Sequence, residues 1–159
     1  MKKTEKQIRR WINLLMLVLF LSGLTALPLE TELRLLTGIF PSDSLIGGWF
    51  DKVYNGLVET NKNYPFLAYG YDWLAFAHFV LALLFIGPLR NPVKNKWVIE
   101  FGMIACFLII PFALVAVHYR DIPSWWRLID CSFGVIGLVP LSICLRKINQ
   151  MEINKAGVS

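Results

Sequence analysis

Two histidines and a few acids supply most of the reactive side chains set in or beside the long apolar runs of this chain. His78 lies inside YDWLAFAHFVLALLFIGPL (71–89), and Asp130 lies four to five residues past the Trp125–Trp126 pair. An ionisable group inside an apolar run is costly in lipid, so each one marks a candidate site. At 1.5 Å per residue, His78 and Asp130 both fall about 7 Å beyond the aromatic residues that open their runs. His118 closes another run, about 31 Å along a helix from Trp97, and so reaches the surface. The shared level of His78 and Asp130 predicts that they meet. Small residues on the same faces, Ala75 and Ala82 beside His78 and Gly134 and Gly137 beyond Asp130, permit the close helix packing this needs.

Three chemistries fit an imidazole next to a carboxylate. A titratable pair can relay a proton or an ion. His78, Asp130 and His118 together have the donor types of a zinc site, but neither H-x-x-x-H nor H-E-x-x-H spacing occurs. A b-type haem would need His78 and His118 as axial ligands, and their unequal depths count against it. The alternative without chemistry is a packing pair that fixes helix register.

A polar rim adds Asp72, Arg120, Asp121, Ser124 and Arg127. Two arginines beside a Trp pair suit a lipid phosphate or another anionic ligand, and they equally suit a solvated rim that anchors helix ends. Ser124, His118 and Asp121 are the residue types of a hydrolase triad without a nucleophile elbow. Gly47 and Gly48 lack the lysine and serine of a phosphate-binding loop. Cys106, Cys131 and Cys144 form no C-x-x-C pair and read as small apolar residues. No cofactor is identified, and the balance leans against an enzyme.

The elements that must position these residues are four apolar runs, at about 11–29, 73–89, 97–117 and 128–145. The chain is 56% hydrophobic and only 17% charged, well outside the balance of a soluble domain. The first run carries no charge in nineteen residues, long enough to cross a bilayer and longer than the apolar core of a cleaved signal peptide. Pro111 falls inside the third run, where it removes a backbone hydrogen bond and predicts a kink. The segment 30–72 is too long to lack structure. Leu45, Trp49, Val53 and Leu57, with Ile46, Phe50, Tyr54 and Val58 alongside, make one apolar stripe on a helix that Ser42 or Ser44 could cap.

The expected fold is therefore an all-α, integral membrane four-helix bundle. It forms a single transmembrane domain over 1–159, with an extra amphipathic interfacial helix between the first two spans. Eleven of the sixteen basic residues fall at one set of run ends, among them the five within 1–10 and Arg90, Lys94, Lys96, Arg146, Lys147 and Lys155. The excess places both termini in the cytoplasm of a cell bounded by a plasma or inner membrane, with 30–72 outside. The basic residues cap apolar runs and form no basic face, so nucleic acid is not an expected partner. Expected partners are the lipid bilayer, another membrane protein or a lipid headgroup. The expected role is binding of a partner or small ligand near the outer face, through His78 and Asp130 with His118, Asp72 and Arg127 near them. The alternative is a membrane enzyme or redox protein using His78, His118 and Asp130 as metal or haem ligands.

Overall fold

In a computed structural model the described residues are 2–156, with side chains described for 3–116 and 118–154; Lys155, counted above among the basic residues, has its side chain outside that set. The described chain is helical, with no strand among the described residues. Seven α-helices follow in order: α1 (Lys2–Ala26), α2 (Leu29–Ile39), α3 (Leu45–Asn63), α4 (Tyr69–Leu84), α5 (Ile86–Arg90), α6 (Lys96–Tyr119) and α7 (Trp126–Ala156), with a 3₁₀ turn at Pro65–Ala68 before α4. Among the described residues four stretches are long and apolar enough to cross a membrane: Lys3–Ala26, Pro65–Arg90, Lys96–Ala116 and Trp126–Asn154.

Each boundary has a local cause. α1 stops before Leu27–Pro28, and Pro28 leads into α2, whose first turn carries Glu30 and Glu32 where the helix dipole favours negative charge. Ser44 caps α3: its hydroxyl accepts a hydrogen bond from the Gly47 amide at 3.0 Å and donates one to the Pro41 carbonyl at 2.7 Å. Replacing it with alanine frees the Gly47 amide. Ser44→Ala is expected to cost about 1 kcal/mol, read as a lowered unfolding midpoint in detergent. α4 gives way to α5 at Phe85 because Pro88 has no N–H to offer the Leu84 carbonyl. The turn after α5 is closed by two asparagines. Asn91 Oδ1 accepts from the Lys94 amide at 3.0 Å, and Asn95 Nδ2 donates to the Gly87 and Asn91 carbonyls at 3.1 and 3.0 Å. α6 and α7 run through Pro111 and Pro140 without interruption of the helix.

The chain divides into two compact units, and the first comprises residues 1–17 and 83–159. Its core draws Ile8 and Ile12 from α1, Val98 and Ile99 from α6, and Leu141, Cys144, Ile148 and Met151 from α7, all buried. The α6–α7 pair is brought close by glycine. A methyl group on Gly134 would lie 2.5 Å from the Cys106 carbonyl oxygen, and one on Gly137 would lie 2.7 Å from Cys106 Sγ. Beyond the apolar core two polar links tie helix ends together. Lys96 pairs with Glu152 at 2.9 Å, and Lys147 donates to Gln7 Oε1 at 2.7 Å. The ion pair is partly exposed, so its contribution is at most about 1 kcal/mol.

The second unit, residues 18–82, contains the end of α1, α2, α3, the 3₁₀ turn and most of α4. α2 and α3 form a helical hairpin around buried Leu33 and Gly47, with Phe40 and Phe50 in ring contact at 5.5 Å. Asn61 ties its base. It donates to Glu30 at 2.9 Å and accepts from the Tyr71 hydroxyl at 3.3 Å. α1 meets α4 at Gly23, where a Cβ would stand 2.8 Å from the Ala75 carbonyl oxygen and 3.1 Å from His78 Cβ. Phe20 and Phe79 close that contact at 5.2 Å.

Candidate functional site

His78 sits in the middle of α4 and is half-buried. The small face expected around it is present: Ala75 and Ala82 are buried, and Gly23 of α1 lies against Ala75. The His78 Nδ1 lies 2.8 Å from the Leu74 carbonyl one turn earlier. A carbonyl can only accept, so Nδ1 carries the proton and donates. In the neutral ring Nε2 then keeps its lone pair, the atom through which His78 can accept a hydrogen bond or a proton. Asp72 belongs to the first turn of the same helix and is exposed. Six residues apart on a helix is about 120° of rotation, so Asp72 and His78 occupy different faces. Asp72 instead borders a shallow, mostly apolar depression with Tyr69, Trp73 and Phe76. The three rings stack edge to face along the helix, Tyr69 to Trp73 at 5.8 Å and Trp73 to Phe76 at 5.5 Å.

Asp130 belongs to the other unit, one turn into α7, and is half-buried. Its carboxylate accepts a side-chain hydrogen bond from Trp126, four residues earlier. The glycine strip expected beyond it is occupied by α6 at Cys106. Each of the two residues expected to meet thus has a hydrogen bond within its own helix.

His118 is exposed in the last turn of α6, its ring edge-on to Tyr119 at 5.4 Å. Asp121 turns the chain in the left-handed region, with φ 51°. Ser124 and Asp121 are exposed, and neither bonds to His118 among the described residues, so these triad residue types are not assembled. Arg127, at the second position of α7, is half-buried. No polar or charged residue is fully buried among the described residues, and none of them gather as a group of three or more His, Cys, Asp or Glu able to hold a metal ion.

Some of the polar contacts were out of reach of sequence reading. Glu30 and Asn61 are thirty-one residues apart, Lys96 and Glu152 fifty-six, and no local spacing announces either. The Trp126–Asp130 bond did have a signal, the i, i+4 spacing within WRLID.

Compared with protein-family models, with curated proteins and with solved structures, the chain shows no match. The class defined by fold and composition is a protein whose described residues are all-helical, with four helices among them long and apolar enough to cross a membrane.

Proposed function

We propose that the chain is a multi-pass integral membrane protein, without catalytic activity of its own, that binds a partner protein or small ligand near its non-cytoplasmic face. The observation that carries the membrane reading is the surface of α6 and α7. Phe107, Phe112, Val115, Leu128, Phe133 and Ile136 are all exposed, on helices whose polar residues gather at the ends. Water would not support so continuous an apolar surface, whereas lipid is its natural solvent. The basic excess supports a reading with both termini in the cytoplasm and the α2–α3 hairpin outside, α3 serving as an amphipathic helix at the interface.

His78 is the polar group on which the proposed binding function draws. Support for His78 comes from its tautomer: Nδ1 is committed to Leu74, and Nε2 is left to accept from a ligand. His78→Asn separates the two nitrogens, because the asparagine Nδ2 can stand in for Nδ1 while nothing replaces Nε2. The variant is expected to fold with less than about 1.5 kcal/mol of lost stability. Native mass spectrometry of protein extracted from its own membrane should show an adduct or partner on the wild type that His78→Asn loses. Equal retention by both would overturn a binding role for His78. The alternative is a metal or haem protein, and its metal form draws no support from the described side chains. A visible spectrum with a Soret band, or stoichiometric metal, would restore it.

A further inference from the structure

We propose that the Arg127 guanidinium, through its Nη groups, holds a phosphate group at the start of α7, either on a phospholipid headgroup or as a free phosphate. The proposal rests on the membrane reading above and gives its outer rim a ligand chemistry. The Arg127 guanidinium has no hydrogen bond or ion pair to any described residue. Its Nε is closed to solvent and without an acceptor, and so is the Nε1 of Trp125 two residues earlier. Both atoms are pure donors, so what each lacks is an acceptor.

The two carboxylates nearest in sequence do not fill the role. Asp130 accepts from Trp126, and Asp121 is exposed on the preceding turn with no partner among the described residues. Arg120, also exposed and unpaired, adds a second positive charge on the same short connection between α6 and α7. With Nε covered, an anion would approach the guanidinium from its Nη side. A phosphate matches that fork, and a Trp pair at the end of an apolar helix is where headgroups lie.

The test uses the full chain in dodecyl maltoside, a detergent without phosphate, titrated with short-chain phosphatidylglycerol, with the matching diacylglycerol and with inorganic phosphate. Saturable binding of phosphatidylglycerol is expected, weakened about ten- to hundredfold in Arg127→Gln and less in Arg127→Lys. Diacylglycerol should bind far more weakly to the wild type, a comparison that stands even where Arg127→Gln does not fold. Inorganic phosphate binding with the same dependence on Arg127 would keep the chemistry and make the source a free anion. Equal binding of phosphatidylglycerol by wild type and Arg127→Gln would overturn the proposal, as would equal binding of diacylglycerol and phosphatidylglycerol by the wild type. Failure of the membrane reading is seen separately, as protein recovered from the aqueous fraction without detergent.

Discussion

Gly134→Ala is expected to destabilise the protein by about 1–3 kcal/mol, and Gly134→Leu to prevent folding. The added methyl would stand 2.5 Å from the Cys106 carbonyl oxygen, part of the α6 backbone, which can yield only if the two helices move apart. Gly137→Ala meets the same residue differently. Its methyl would stand 2.7 Å from Cys106 Sγ, a side-chain atom. Removing that sulfur with Cys106→Ala should therefore rescue Gly137→Ala and leave Gly134→Ala unrescued, a coupling that a double-mutant cycle on unfolding midpoints measures. Gly56→Ala is the control. Nothing lies within 4 Å of a methyl there, and in the middle of α3 alanine should gain up to about 1 kcal/mol in helix propensity.

The second large effect is expected from Phe107→Arg. Phe107 is 64% exposed near the middle of α6. On a surface in water such a change would fall within about 0.5 kcal/mol of neutral. At the centre of a membrane-spanning helix, arginine costs about 2.5–3.5 kcal/mol of insertion free energy. Leu45→Arg supplies the comparison, since Leu45 is 73% exposed yet opens α3, outside the four apolar helices. The yield of membrane-embedded protein should fall sharply for Phe107→Arg and little for Leu45→Arg. Equal, small effects at both positions would mean that α6 faces water.

How far the sequence disclosed the fold follows from what hydropathy can see. The four apolar runs reappear as helices, but their ends moved where charge ended the run without ending the helix. The first was expected over 11–29 and is Lys2–Ala26; the fourth was expected over 128–145 and is Trp126–Ala156. The polar extensions are held by packing: Ile8 and Ile12 are buried in the same unit as Cys144 and Ile148, and Cys144 Sγ lies 3.9 Å from the Ile8 carbonyl. The i, i+4 spacing of Ile8 and Ile12 was readable, but five basic residues within 1–10 masked it.

In the segment 30–72 the stripe from Leu45 to Val58 and the Ser44 cap correspond to α3, which continues to Asn63. The structure expected in 30–72 includes a second helix, α2, which was not resolved in the sequence although Leu29, Leu33 and Leu36 carry helical spacing. The site was less legible than the fold. Spacing put His78 and Asp130 on small-residue faces, and the glycines and alanines there do admit a neighbouring helix. Spacing could not reveal that Leu74 and Trp126, each one turn away, bond to them. A side chain in an apolar run takes the nearest donor or acceptor first, and in a helix that is one turn back along its own chain.

The central claim is best tested by asking on which side of a sealed membrane two chosen positions lie. Ser42→Cys marks the α2–α3 hairpin and Lys94→Cys the connection between α5 and α6; both positions are exposed, and the native cysteines lie in apolar helices. In sealed vesicles a membrane-impermeant maleimide should label one position from the outside and the other only after permeabilisation, with Ser42→Cys on the non-cytoplasmic side. Both positions labelled alike from one side, or a protein recovered in the aqueous fraction, would contradict it.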